Sequence, residues 1–256
     1  MFRRELLYTI LIFALLQLLT LVMPLPYFVA VSWIGLLLLL TWILISFITY
    51  SGKKVSRFSE VIIKMQLKAR WYQYIFVPVI FYTAICGFIF FVNSVFLQQF
   101  VILLGCLCLF LLMVHVRSTY QKIYTVSRIS RVVFDLVNIM LFYLVAMTLQ
   151  VSGYISIYLI IGILSLLSVM ILVSSLGIAH KLSNLGIFLS ILGGITIAVV
   201  GYLTRDLNIY TFPFIATLTF YAILSFWHIR LSGVKKLDQY IPPLLFLIMA
   251  IILVMG

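Results

Sequence analysis

Long apolar stretches recur along this chain with only short breaks between them, and nothing else in the sequence constrains the fold as strongly. The stretches are Leu6–Val22, Phe28–Tyr50, Tyr74–Val92, Phe100–Val116, Val132–Gln150, Tyr154–Leu176, Leu185–Leu203, Tyr210–Ile229 and Ile241–Val254. Most approach the ~20 residues a helix needs to cross about 30 Å of hydrocarbon. Composition points the same way: of 256 residues, 66% are hydrophobic and 9% charged, against about 25% charged in a soluble domain. The longest polar stretch, around Ser51–Tyr74, is too short to build a core of its own. The expected fold is all-α: a multi-pass transmembrane helical bundle of eight or nine spans, one integral membrane domain over residues 1–256. The last stretch is short and begins at Pro242–Pro243. Proline suits a first helical turn, so a short crossing fits, and a re-entrant or interfacial segment fits too.

The opening "MFRRELLYTILIFALLQLLTLVMPLPY" has the basic start and apolar run of a signal peptide. The run is long and no small-x-small cleavage site follows it, so it reads as a retained first span.

Basic residues fall on alternate breaks. With the N-terminus in the cytoplasm, the inside segments carry Arg3, Arg4, Lys53, Lys54, Arg57, Lys64, Lys68, Arg70, Arg117, Lys122, Arg128, Arg131, Lys181, Arg230, Lys235 and Lys236. The outside turns carry Arg205 alone. Loop charge of this kind sets orientation. The net charge of +12 is then a record of insertion, and a nucleic-acid partner is not needed to explain it.

The first long inside segment, residues 51–73, has a pattern of its own. Val55, Phe58, Ile62, Met65, Ala69 and Tyr72 recur at three- and four-residue steps, while Lys54, Arg57, Lys64 and Lys68 lie largely off that stripe. This is a basic amphipathic helix beside a membrane. Lys53, Lys54, Arg57, Lys64, Lys68 and Arg70 are its expected headgroup contacts, each contributing about 1 kcal/mol near an anionic surface.

Three histidines, His115, His180 and His228, fall at the inside ends of spans four, six and eight, each close to Arg or Lys. With Arg117 and Arg230 they form a candidate cytoplasmic rim. Imidazoles at one depth suggest a metal site or a pH-sensitive cluster. The simpler account is helix-end electrostatics and snorkelling to headgroups. No carboxylate and no paired-histidine motif accompanies them, so no metal site is expected.

Asp135 lies about one turn inside span five. An acid there is costly unless paired. Arg131, four residues earlier, and Asn138, three later, share its face. They form either a local ion pair with an amide bonded to a neighbouring helix, or a cytoplasm-facing polar pocket for an ion or headgroup.

Span seven spaces Gly186, Ser190, Gly194 and Ala198 four apart. Such a smooth face lets a second helix approach closely; internal packing is expected, with a homodimer face as the alternative. Cys86, Cys106 and Cys108 lie in apolar runs and read as packing residues. "HVRSTYQKI" from His115 and "HIRLSGVKKL" from His228 resemble each other; a hairpin repeat and convergent boundary chemistry both explain that.

The sequence has no phosphate-binding lysine loop, no GxSxG, no paired Cys or His motif and no aspartate-rich DxxxD motif. No catalytic residue or cofactor is expected; a membrane enzyme acting on lipid, with the histidines as its only acid–base groups, ranks third among the readings. The leading expectation is a structural, accessory or assembly subunit whose basic cytoplasmic face meets anionic lipid or a protein partner, with homo-oligomerisation an option. The rival is a transporter or lipid-translocating protein using the pocket near Asp135. The short loops fit a bacterial inner membrane.

Overall fold

A computed structural model describes residues 3–21, 24–51, 75–121, 128–179, 184–232 and 237–255. Among them the chain is helical, with no strand. The helices are α1 (Arg3–Leu19), α2 (Leu25–Ser51), α3 (Ile75–Phe91), α4 (Val95–Gln121), α5 (Arg128–Ser152), α6 (Ile157–Ala179), α7 (Asn184–Leu203), α8 (Thr211–Ser232) and α9 (Ile241–Met255). Six of them, α2 and α4 to α8, are long and apolar enough to cross a membrane. The chain is thus a multi-pass membrane protein by its helices. The remaining three are shorter: α1 has 17 residues and α9 has 15, or about 25 and 22 Å at 1.5 Å per residue.

Local chemistry sets the helix ends. Pro24 offers its carbonyl to the amides of Tyr27 and Phe28, and Pro26 sits in the first turn of α2, where a missing N–H costs nothing. Ser156 and Asn208 offer theirs in the same way at the starts of α6 and α8. Helix α5 ends at Ser152, and Gly153 follows with φ 65°, a left-handed exit that glycine adopts without strain. The Pro242–Pro243 pair lies in the first turn of α9, after a 3₁₀ turn over Leu237–Tyr240.

Hydroxyls inside these helices bond to carbonyls one turn back. Thr217 bonds Pro213 O at 2.7 Å, Ser190 bonds Gly186 O at 2.8 Å and Thr219 bonds Ile215 O at 2.9 Å. In lipid each polar group has to be satisfied within the protein, and this local bonding does it.

The chain divides into two compact units, Met1–Val137 and Asn138–Gly256. In unit 1, α1 packs on α2 and α4. Gln17 and Gln99 exchange amide hydrogen bonds at 2.6 and 3.0 Å, and the Thr9 hydroxyl meets the Met113 sulfur at 3.8 Å. These two contacts make α1 and α4 antiparallel. Tyr82 of α3 reaches the Ser32 carbonyl of α2 at 3.3 Å, and a Cβ on Gly35 would overlap the Tyr82 hydroxyl. Phe28 and Phe90 rings meet at 5.0 Å, so α2 and α3 are antiparallel too. Gln98 Nε2 donates to Ile89 O at 2.9 Å and to Val92 O at 2.6 Å, closing the α3–α4 corner.

In unit 2 the tightest pair is α6 and α7. A Cβ on Gly194 would press on Val169 and on the Ser165 carbonyl, and one on Gly201 would press on Ile161. Ser165 Oγ donates to Gly194 O at 2.8 Å. Helix α8 packs on α7 and α6, and α9 packs on α8. Ala250 packs with Ile215 and Leu218, Phe246 lies edge-on to Tyr221 at 4.6 Å, and Tyr240 stands 6.0 Å from Phe226. Those three contacts run α9 antiparallel along α8.

Candidate functional site

The small face of α7 is turned inward. Gly186, Ser190 and Gly194 are buried, and Gly194 abuts α6. Gly193, one residue earlier, would collide through any Cβ with Leu172 of α6 and meets Ile223 and Trp227 of α8. The absence of side chains at 193 and 194 is what lets three helices converge. On the outer surface of α6 and α7 lies an open groove of about 600 Å³, lined by Gly162, Ser165, Leu166, Val169, Met170 and Ala198.

Two of the three histidines lie among the described residues, one in each unit. His228 is 3% exposed, and its Nε2 lies 3.1 Å from the hydroxyl of Ser175 on α6, itself 1% exposed. Side chains so enclosed do not snorkel. Trp227 next to it is packed towards Gly193, with its indole N–H buried and lacking an acceptor. His115 belongs to unit 1 and lies within α4, six residues before that helix ends at Gln121. His180 lies outside the described residues.

The α5 trio is partly visible. Asp135 is half-buried. Asn138 is 0% exposed, and neither atom of its amide has a hydrogen-bond partner. Arg131 occupies a helical position in α5, but its side chain lies outside the described residues, as does that of Arg117 in α4. Arg230, in the last turn of α8, is exposed. Lys53, Lys54, Arg57, Lys64, Lys68 and Arg70, with the amphipathic pattern they belong to, lie outside the described residues.

Several groups had no sequence signal. Ser175 is one of many serines in apolar runs. Glu5, in the first turn of α1, is 3% exposed. Arg205, beside Asp206 in the chain, also bonds Tyr158 Oη at 3.2 Å and lies 4.6 Å above the Tyr202 ring. Cys86, Cys106 and Cys108 are buried free thiols. Among the described residues no three His, Cys, Asp or Glu side chains group to hold a metal ion.

Comparison with protein-family models, with curated proteins and with solved structures found no match.

Proposed function

We propose that this chain is a non-catalytic structural, accessory or assembly subunit of a membrane, working through a basic cytoplasmic face. It crosses the bilayer eight or nine times from a cytoplasmic N-terminus, as one integral membrane domain. A bacterial inner membrane suits it, with anionic lipid, a protein partner or a second copy at the basic face and no nucleic acid. The carrying observation is where basic residues fall relative to the helix ends. The connections over residues 20–24, 92–94, 153–156 and 204–210 hold one, Arg205. The start of α1, the alternate connections and the helical turns beside them hold the other sixteen of the 17 Lys and Arg residues. Asymmetry of that size fixes orientation, and it concentrates charge where anionic headgroups attract it. The antiparallel course of α9 along α8 favours a ninth crossing.

Two measurements test this. An impermeant thiol reagent should label Tyr154→Cys from outside intact cells and Lys122→Cys only after permeabilisation; the reverse pattern overturns the orientation. Replacing Lys53, Lys54, Arg57, Lys64, Lys68 and Arg70 together with Gln should strip the purified protein of co-purifying anionic lipid. Unchanged lipid content removes the basic face as a lipid contact.

Asn138 favours a second reading: a transporter or lipid-translocating protein with a cytoplasm-facing polar pocket of Arg131, Asp135 and Asn138. A buried amide without a partner costs about 1–3 kcal/mol, and a polar ligand would offset that cost. Here Asn138→Cys should react with a small cationic thiol reagent applied from the cytoplasmic side. An unreactive thiol in a folded protein leaves the amide as a packing feature and ends this reading.

A further inference from the structure

Arg205 stands apart from the other basic residues. It sits in the connection between α7 and α8, at an end of unit 2 where orientation gains nothing from a positive charge. Yet the fold builds a seat for it. Its Nη1 donates to Tyr158 Oη of α6 at 3.2 Å, and its Cζ lies 4.6 Å from the Tyr202 ring centroid of α7. Two separate helices therefore hold one guanidinium, by a hydrogen bond and by a cation–π contact.

The surroundings mark a depth. Tyr154 is 90% exposed, Tyr158 and Tyr210 are each 62% exposed, and Tyr202 is 53% exposed. All four lie at or beside the ends of α5, α6, α7 and α8 that meet there. Exposed tyrosines at helix ends sit at headgroup level in a bilayer, where lipid phosphates also lie.

The seat leaves binding capacity unused. A guanidinium has five N–H donors, and the bonds to Tyr158 and Asp206 employ Nη1 and Nε. Asp206 is the one competing anion in the group. Its carboxylate is 88% exposed and 3.4 Å from Nε, a long and loosely held contact. The Tyr158 hydroxyl accepts from Arg205 and keeps its own hydrogen to donate. A planar fork of N–H groups beside a hydroxyl donor suits a tetrahedral anion with several acceptor oxygens.

We propose that Arg205 and the Tyr158 hydroxyl form a binding site for the phosphate of a phospholipid headgroup, at the end of unit 2 opposite its basic connections. This site is independent of the basic face, and its occupancy does not depend on which way the chain crosses the membrane.

The test is carbon–phosphorus dipolar recoupling by solid-state NMR. The full-length protein, with arginine labelled at Cζ, is reconstituted in phospholipid bilayers in phosphate-free buffer. The Arg205 signal is the one that vanishes in Arg205→Lys, a charge-conserving substitution at a half-buried turn position. Lipid phosphorus should dephase that signal, and Tyr158→Phe, which keeps the guanidinium, should lose dephasing at the shortest mixing times. A signal untouched by lipid phosphorus overturns the proposal and leaves a local Arg205–Asp206 pair. Dephasing that arises only when inorganic phosphate is added, in a phosphorus-free detergent, overturns the lipid as its source. Dephasing unchanged in Tyr158→Phe overturns the two-residue site.

Discussion

Nε2 of His228 lies 3.1 Å from the Ser175 hydroxyl, joining α8 to α6 within unit 2 at 3% and 1% exposure. A polar pair this enclosed specifies which faces of two apolar helices meet. Hydrocarbon side chains alone specify that weakly, because lipid tails are equally apolar.

Removing either partner should therefore weaken the unit. Ser175→Ala is expected to cost about 1 kcal/mol. A double-mutant cycle with His228→Ala should give a coupling energy of about 0.6 kcal/mol, the typical intramembrane value, and up to about 1.7. Unfolding of the reconstituted protein measures it, and strict additivity of the two changes would show that the pair carries no coupling.

Two glycines on the α6–α7 pair should respond oppositely. A Cβ on Gly194 would meet the Val169 methyl and lie 3.1 Å from the Ser165 carbonyl oxygen. Gly194→Ala should destabilise by about 1–3 kcal/mol through overpacking. Gly162 has nothing within 4 Å of such a carbon. Gly162→Ala should be neutral, or stabilising by up to about 1 kcal/mol through helix propensity. Melting temperatures of the two variants in one detergent decide it.

The reciprocal amides of Gln17 and Gln99 allow a rescue experiment. Gln17→Leu should cost about 1 kcal/mol or more, because it strands the half-buried Gln99 amide. Gln17→Leu with Gln99→Leu should recover most of that loss, since two apolar groups then face each other. A double variant less stable than either single one would contradict this.

Gly35→Ala should also lower the melting temperature. Its added carbon would run into the hydroxyl of Tyr82, which is 1% exposed and has little room to withdraw. Tyr82→Phe should relieve this in part only, since Cζ would remain 2.7 Å from that carbon. Full rescue would mean that the ring moves freely.

Much of the helical plan can be read from hydropathy alone. The run expected over Leu185–Leu203 folds as Asn184–Leu203, and the one over Ile241–Val254 folds as Ile241–Met255. Helix α4 departs most, reaching Val95 and Gln121 where apolar character covers Phe100–Val116. Hydropathy registers solvent preference, and a helix continues past it when its polar side chains find partners, as Gln98 and Gln99 do. The inward face of α7 was legible because small residues repeat every fourth position. The His228–Ser175 pair was not. Helices that are apolar all round carry no amphipathic stripe to say which side turns inward, so sequence gives the depth of His228 but not its direction.

Gln98 has a consequence for the corner between α3 and α4. By bonding Ile89 O and Val92 O, it covers carbonyls that the end of α3 would otherwise turn towards lipid or water. The corner carries its own substitute for solvent. Helices α3 and α4 thus meet with these two carbonyls already bonded, while Asn93 and Ser94 of the turn remain exposed.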